Sequence, residues 1–225
     1  MKAVIIVAGG TGTRMNPLVP KQFIVLAGKP MLLHTIEAFL GFDKGIRIIV
    51  AIPDSLFREW HHLIGQYSFQ VPHTLVPGGS TRFHSVKNGL DALEQEELVA
   101  VHDGVRPLAS VELIGRAFSE AEIHGTAIPV IPLSESIRFV EGPTNHPVDR
   151  TAYRIVQTPQ VFRTSLLKQA YLQDFRETFT DDATVVESTG QPIHLIDGDP
   201  ANIKITRPAD LILATSLLKS VAPSI

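Results

Sequence analysis

The chain opens with a short apolar strand that breaks directly into a glycine-rich loop, and this feature most constrains its fold. Residues 4–7 form a β-branched run, which predicts a buried strand. Ala8, Gly9, Gly10 and Gly12 lie in the loop that follows. Because glycines leave backbone N–H groups accessible, such a loop is typical of one that binds a phosphate chain.

Two cations, Arg14 and Lys21, follow in the same segment. Fixed cations beside a phosphate-binding loop suit phosphoryl or nucleotidyl transfer, because negative charge builds on the phosphorus oxygens in the transition state. The loop lacks the Gly-Lys-Ser/Thr of a P-loop, and it lacks the third glycine and distal acid of a dinucleotide fingerprint. A solvated basic loop is the alternative interpretation of these two residues.

Composition excludes several classes of protein. The 225 residues are 44% hydrophobic and 19% charged, which is an ordinary globular composition with room for one sizeable core. A net charge of −3 gives no basic field for nucleic acid or an anionic membrane. Cysteine is absent, which excludes disulfides and thiolate metal sites. Without a membrane-length apolar run or a signal-peptide cleavage region, we expect cytoplasmic localisation and neither a membrane nor a nucleic-acid partner.

Helical and strand-like patterns alternate along the chain. The predicted helices are 31–39, 57–63 after a cap at 53–55, 81–94, 110–124, 164–174, 181–188 capped by its first two aspartates, and 208–219. The further predicted strands are 46–52, 73–76, 98–102, 126–131, an edge strand at 193–197 and a short one at 202–205. This order predicts an α/β fold with a single doubly wound, largely parallel sheet. Ligands of such sheets bind beyond the carboxyl ends of the strands.

Residues 133–154 interrupt this pattern, because they are too polar and too broken for core. Segments 136–140 and 151–156 are predicted to pair as a hairpin around the Gly142-Pro143 turn. A two-stranded ribbon is marginally stable alone, so we expect it to project as a β-arm and pack on a partner subunit. A surface loop is the alternative. The economical domain count is one domain, 1–225, with this arm.

Polar residues follow two further predicted strands. Gly79 and Ser80 lie between a strand and a helix that carries Ser85 in its first turns, so they suit reading a base edge or a phosphate. Helix capping by Ser80 or its neighbour is the simpler explanation for one of the two hydroxyls. Asp103 ends a strand and suits Mg²⁺ or a ligand hydrogen bond, although turn capping is equally compatible. Arg106 suits bidentate phosphate binding.

The nine histidines do not indicate a metal site. His61 and His62 are adjacent and cannot share one helix face, and His102 is single at the end of a strand. We therefore expect structural roles for the histidines. A hydrolase triad has no Gly-x-Ser-x-Gly elbow to carry its nucleophile.

Taken together, these segments resemble the 2-C-methyl-D-erythritol 4-phosphate cytidylyltransferases, a family of sugar and polyol phosphate nucleotidyltransferases. The resemblance runs nearly end to end and is more specific than any single glycine loop. The matching motifs are AGGTGTRM at 8–15, PKQ at 20–22, GGSTR at 78–82, VHDGVRP at 101–107, VDR at 148–150, QTPQ at 157–160, FTDD at 179–182 and NIKITRP at 202–208.

The resemblance implies a Rossmann-like nucleotidyltransferase that joins CTP and 2-C-methyl-D-erythritol 4-phosphate, with release of pyrophosphate. Arg14 and Lys21 match the residues that stabilise the transition state. Mg²⁺ or another divalent cation bridges the triphosphate near Asp103. The positions that match nucleotide-binding residues are Ala8, Gly9, Gly10, Gly12, Gly79, Ser80, Ser85 and Asp103. Those that match polyol phosphate-binding residues are Arg106, Ser136, Arg150, Thr158, Thr180 and Lys204. The arm reaches the other subunit of a homodimer, so Arg150 is expected to act in trans.

Two alternatives share this fold. The ribitol 5-phosphate cytidylyltransferases have the same Arg and Lys and much of the arm, and they differ in the polyol. A nucleotide-binding homologue without catalytic activity is the second alternative. The presence of Arg14, Lys21 and Asp103 argues against it.

Overall fold

The computed structural model of the chain describes residues 1–10 and 19–221. Gly12 and Arg14 lie outside the described residues, so their predicted roles rest on the sequence. Within these ranges the predicted alternation of strands and helices is present. No helix there is long and apolar enough to cross a membrane.

Twelve strands are present in the described part of the chain. They are β1 Lys2–Val7, β2 Val25–Leu26, β3 Lys29–Pro30, β4 Arg47–Ile52, β5 Thr74–Pro77, β6 Leu98–Asp103, β7 Thr126–Pro132, β8 Arg138–Glu141, β9 Thr144–Pro147, β10 Arg154–Val156, β11 Gln160–Arg163 and β12 Leu195–Asp197. The main sheet has the order β5-β4-β1-β6-β11-β7-β10, and β12 also pairs with β7. Strands β5, β4, β1 and β6 are mutually parallel, whereas β11 runs antiparallel to β6 and β7. The sheet is therefore mostly parallel, as predicted, and the antiparallel β10 and β11 make it mixed.

Seven α-helices are present in the same ranges. They are α1 Met31–Phe42, α2 Phe57–Gln66, α3 Arg82–Asp91, α4 Val111–His124, α5 Thr164–Ala170, α6 Asp182–Glu187 and α7 Pro208–Val221. Helices α1 to α6 pack on this sheet, and α7 packs near β2 and the start of α1. The predicted cap at 53–55 is instead a short 3₁₀ turn, Asp54–Leu56, without a side-chain cap on α2. The cap predicted for α6 is confirmed for Asp181, whose carboxylate accepts a hydrogen bond from the backbone N–H of Thr184. Asp182 does not cap the helix, because its carboxylate bonds to Arg82 and Tyr171.

The alternation of side chains along β1 explains why both faces of the sheet are covered. Val4 and Ile6 pack into a core with α1, α2 and α4, whereas Ala3 and Ile5 pack into a second core with α3, α5 and α6. All four residues are fully buried, as expected for a strand with helices on both sides. The loops at the carboxyl edge are left to form the site.

The predicted arm contains a hairpin, but its second strand is not the one we predicted. β8 pairs with β9 around the Gly142-Pro143 turn, and every residue of both strands is exposed. Segment 151–156 instead forms a 3₁₀ turn and then β10, which pairs with β7. The tight turn selects the immediately following residues as the partner, because a short loop fixes the register of a hairpin.

The predicted strand at 202–205 is also wrong. Its backbone groups bond mainly outside any sheet: the Asn202 carbonyl accepts from Arg106 Nη1 at 2.8 Å, and Ile205 N–H donates to the Val105 carbonyl at 2.9 Å. The segment is therefore an extended strap across the loop that follows β6. β12 is confirmed where an edge strand was predicted, although it is shorter.

Gly89 allows α3 to approach β1, and this generates a stability prediction. A Cβ at Gly89 would lie 2.6 Å from Cγ2 of the buried Ile5, whereas Gly65 in α2 has open space around it. We expect Gly89→Ala to lower the free energy of unfolding by about 1–3 kcal/mol, because the added methyl group overpacks the core. The control Gly65→Ala should stabilise by about 0.5–1 kcal/mol, because alanine loses less backbone entropy in a helix. Urea unfolding measures the change in the free energy of unfolding for both variants. If both changes had the same sign, the close packing of α3 on β1 would be contradicted.

Candidate active site

Three loops at the carboxyl edge of the sheet enclose a cavity of about 280 Å³. Ala8, Gly9 and Gly10 follow β1, Gly79 and Ser80 follow β5, and Asp103 ends β6. The strand order places β5, β4, β1 and β6 side by side, so these loops meet. Also lining this cavity are Lys21, Gln22, Ser85, Arg82 and Lys204. The position agrees with the general rule for ligand sites in such sheets.

A second cavity of about 270 Å³ adjoins the first. Arg82, Asp103 and Lys204 line both cavities, so the two spaces meet at these side chains. Apart from Val156, the second cavity is polar. The further side chains that line it are Arg106, Gln157, Thr158, Gln160, Thr180 and Asp181. Two adjoining cavities with a shared charged wall can hold two substrates next to each other.

Asp103 is the centre of an ionic group that we name the Asp103 cluster, made of Asp103, Arg82, Arg106 and Lys204. The Asp103 Oδ2 atom lies 3.0 Å from Lys204 Nζ and 3.3 Å from Arg106 Nε, and Oδ1 lies 3.6 Å from Arg82 Nε. Burial alone would raise the pKa of this carboxyl, but the charges of Arg82, Lys204 and Arg106 hold the pKa well below its usual range. Asp103 is therefore an anion, and its three cationic neighbours give the cluster a net positive charge suited to phosphates.

Arg82 is held by a second carboxylate behind the cluster. Its guanidinium forms two bonds with Asp182, Nη1 to Oδ1 at 2.8 Å and Nη2 to Oδ2 at 2.6 Å. Asp182 is fully buried and also accepts the Tyr171 hydroxyl at 2.7 Å. Burial opposes the charge of Arg82, but its bonds to Asp182 raise the pKa of the guanidinium above its ordinary value. This bidentate ion pair fixes the orientation of the Arg82 guanidinium relative to Asp103.

His102 is a neutral residue that stabilises the end of β6 through hydrogen bonds. Burial lowers the pKa of His102 to about 4. Its Nε2 contacts the Arg106 carbonyl at 3.0 Å, and since a carbonyl only accepts, Nε2 carries the proton. Nδ1 then accepts from the Thr158 hydroxyl at 3.1 Å, and the same oxygen accepts the Asp103 N–H. The structural role expected for a single histidine agrees with these contacts.

Lys204 reaches Asp103 because hydrogen bonds hold the strap in place. Asn202 Nδ2 donates to the Thr158 carbonyl at 2.7 Å, and Arg106 Nη1 donates to the Asn202 carbonyl. Upstream, Gln157 exchanges two hydrogen bonds with the backbone of Asp199. These contacts fix the segment that carries Lys204 although it belongs to no sheet.

Ser85 fixes the loop that follows β5. Its hydroxyl accepts the Gly79 N–H at 3.0 Å and donates to the Thr81 carbonyl at 3.0 Å. A Cβ at Gly79 would lie 2.2 Å from Cβ of His84, so this close approach requires glycine. Thr81 is the side-chain cap of α3, as its hydroxyl oxygen accepts the His84 N–H. This leaves Ser80 exposed at the cavity wall.

The structure brings together most of the residues selected from the sequence, and two lie elsewhere. The predicted residues that line one or both cavities are Ala8, Gly9, Gly10, Lys21, Gly79, Ser80, Ser85, Asp103, Arg106, Thr158, Thr180 and Lys204. Ser136 and Arg150 line neither cavity; both are exposed, and Arg150 donates to the Ser134 carbonyl within the arm. No site role was predicted for Arg82, Asp182 or Gln22, although each lies in a quoted motif.

Comparison with known proteins identifies the family. The model of the family "IspD: 2-C-methyl-D-erythritol 4-phosphate cytidylyltransferase" matches residues 2–220. The chain belongs to this family. A 2-C-methyl-D-erythritol 4-phosphate cytidylyltransferase of Bacteroides thetaiotaomicron is 49% identical over 217 residues, which are 96% of this chain and 99% of that protein. The protein of that name from Bacillus licheniformis is 39% identical and covers 96% of this chain and 95% of its own length.

Solved structures of family members share the fold. The cytidylyltransferase from Thermus thermophilus superposes with a TM-score of 0.79 at 31% identity, covering 97% of this chain and 100% of that one. The 4-diphosphocytidyl-2C-methyl-D-erythritol synthase from Anaerococcus prevotii gives a TM-score of 0.82 at 26% identity, with 97% and 98% covered. The resemblance read from the eight motifs is thereby confirmed.

The pair formed by Arg82 and Asp182 generates a prediction with its own control. Asp182→Asn keeps the size of the side chain but leaves the guanidinium without its counter-charge, and loss of one partner of a buried pair costs about 3–5 kcal/mol. Tyr171→Phe removes one hydrogen bond from the same carboxylate and should cost about 1 kcal/mol. Urea unfolding at neutral pH compares the two variants. If both variants lost the same free energy of unfolding, Asp182 would not be the residue that holds Arg82 in place.

Proposed function

We propose that this protein transfers the cytidylyl group of CTP to 2-C-methyl-D-erythritol 4-phosphate. The products are 4-diphosphocytidyl-2-C-methyl-D-erythritol and pyrophosphate, in non-mevalonate isoprenoid biosynthesis. The observation that carries this proposal is the meeting of two cavities at the charged Asp103 cluster, in a chain that matches the family over residues 2–220. We place the reaction in the cytoplasm as part of the same proposal.

The first cavity suits CTP. Its glycine loop, Gly9 and Gly10, offers backbone N–H groups for the triphosphate, and Lys21 lines the same space. Beside this loop, Gly79, Ser80 and Ser85 form a short polar stretch of the wall for the cytosine ring. The hydroxyl of Ser85 is engaged by backbone groups, so we assign Ser85 to shaping this wall.

The second cavity suits the polyol phosphate. Arg106 and Lys204 supply positive charge for its phosphate, and Thr158 and Thr180 supply oxygen atoms in the wall. Because Lys204 also lines the first cavity, the phosphate of the polyol is placed beside the triphosphate. This placement is the main requirement for a displacement that needs no protein nucleophile.

In the reaction, a phosphate oxygen of the polyol phosphate attacks the α-phosphorus of CTP. The new P–O bond forms as the bond to the departing pyrophosphate breaks, so atoms and charge balance without a covalent enzyme intermediate. Negative charge spreads over the phosphorus oxygens during this step. We assign its stabilisation to Lys21 in the cavity wall, together with Arg14 from the motif AGGTGTRM.

Asp103 fits a role in holding Mg²⁺ or another divalent cation. It is the single carboxylate among the described residues that line the first cavity, and its Oδ1 lies 3.6 Å from Arg82, beyond hydrogen-bond distance. One carboxylate oxygen together with nucleotide phosphate oxygens is a usual coordination for Mg²⁺. When bound, the ion supplies positive charge to the triphosphate.

We propose that residues 1–225 form one nucleotidyltransferase domain and that its arm, 133–154, completes the site of a second copy in a homodimer. Ser136 and Arg150 lie outside both cavities of their own chain, yet they match substrate-binding positions of the family. The exposed Phe139 and Val140 on β8 give the arm apolar surface that a partner subunit can cover. Arg150 would then contact the polyol phosphate across the dimer.

The test of the proposed function is pyrophosphate release with CTP and Mg²⁺ in two parallel reactions. 2-C-methyl-D-erythritol 4-phosphate should support fast release, and D-ribitol 5-phosphate should not. Lys21→Ala should lower kcat by about 10²-fold, the range for loss of one transition-state stabiliser. Lys44→Ala, an exposed lysine in a turn, is the matched control and should leave kcat unchanged. Turnover with ribitol phosphate alone would contradict the assigned polyol.

Subunit mixing tests the arm. Neither Lys21→Ala nor Arg150→Ala should be active alone, but a mixed dimer contains one site with both native residues. Random exchange at equal concentrations should restore about a quarter of the native activity, given a symmetric two-site dimer. Native mass spectrometry with one isotopically labelled variant verifies that exchange has occurred. If the exchanged mixture stays inactive, Arg150 acts within its own chain.

A further inference from the structure

A second cluster of ionisable side chains lies at the opposite edge of the sheet. Glu120 and His124 are on α4, and His194 directly precedes β12. Glu120 Oε2 lies 3.4 Å from His124 Nε2 and 3.1 Å from His194 Nε2. All three potential ligand atoms lie within 4.8 Å of one another. The proposed function uses none of these residues.

The backbone fixes the positions of all three residues. Glu120 and His124 are four residues apart, so they share one face of α4. The His194 N–H donates to Thr126 Oγ1 at 2.9 Å, and its carbonyl accepts the Ile128 N–H at 2.9 Å. Assembly of the cluster therefore needs no rearrangement of the main chain.

The arrangement has the chemistry of a zinc site. Two imidazoles and one carboxylate are a donor set that zinc uses when it keeps a fourth position for water. Bonds of about 2.0–2.1 Å around a tetrahedral ion place neighbouring donor atoms about 3.3–3.4 Å apart. The two distances from Glu120 Oε2 lie close to this spacing.

Two features of the surroundings favour a cation here. His124 is the last residue of α4, where the unpaired carbonyls of a helix end carry partial negative charge. The two imidazole rings are stacked, with centroids 3.8 Å apart. Both rings must rotate away from this stacked arrangement to bind one ion. Because the His124 and His194 side chains are 43% and 36% exposed, both rings have room to turn.

We propose that Glu120, His124 and His194 bind a divalent transition metal of the zinc type, with water at the fourth position. The ion would join β12 to α4 and act as a structural clip. It would not take part in catalysis, because the cluster lies at the amino-terminal ends of β7 and β12, whereas the two cavities lie at the carboxyl edge of the sheet. The strap that carries Lys204 follows β12, so the clip would stabilise the base of that segment.

Titration with Zn²⁺ alone tests the proposal. The full chain is freed of metal with a chelator and titrated by calorimetry in excess Mg²⁺ without nucleotide, so that the oxygen ligand Asp103 is not scored as a zinc site. One Zn²⁺ should bind to the parent protein. His124→Ala and His194→Ala should each weaken binding by about 100-fold, since even a residue behind a metal ligand contributes 10–100-fold. The control His62→Ala removes an exposed histidine on α2 and should bind as the parent does.

A thermal measurement gives a second readout. At about a hundredfold excess of Zn²⁺ over Kd, the Tm of the parent should rise by about 5 °C or more, and that of His194→Ala should not. All four proteins should keep the same kcat with Mg²⁺. Failure of the parent to bind Zn²⁺, or binding that both ligand variants retain, would overturn the proposal without affecting the proposed cytidylyltransfer.

Discussion

The carboxylate of Asp103 holds three cations at one point of the carboxyl edge, and both cavities depend on that point. Arg82, Arg106 and Lys204 come from three separate parts of the chain and would repel one another without an anion between them. Their common contact with Asp103 places positive charge on the wall that the two cavities share. A phosphate bound in either cavity, as we propose, would meet a prearranged field, which is the form of stabilisation that requires least reorganisation.

The cost of burying these charges explains the residues that surround them. An ion removed from water needs a partner and satisfied hydrogen bonds. Asp182 meets this need for Arg82, and the Tyr171 hydroxyl bonds to the same carboxylate. On the other side, neutral His102 binds the Arg106 carbonyl and the Thr158 hydroxyl without adding a further positive charge. Charge at the front of the site is thus matched by a rigid polar layer behind it.

The sequence predicted those features that local pattern determines. Strand β1, the glycine loop and the placement of Asp103 at a strand end follow from short motifs, and alternation of elements implied the parallel sheet. The bond between Arg82 and Asp182 could not be predicted in this way, because the two residues are 100 positions apart. The prediction of the strand that pairs with β8 was wrong, because the exposed β9 has little apolar pattern. The contact between His124 and His194 could not be predicted for the same reason, because the two residues lie far apart in the sequence.

The most direct test of the central role of Asp103 is the kcat of Asp103→Asn with saturating CTP, 2-C-methyl-D-erythritol 4-phosphate and Mg²⁺. The amide keeps the shape of the side chain but leaves three cations without their common anion. We predict that kcat falls by about 10²-fold or more while circular dichroism shows a folded protein, as expected for loss of electrostatic preorganisation. A kcat within a few-fold of the native value would contradict the account, because the site would then form without the Asp103 cluster.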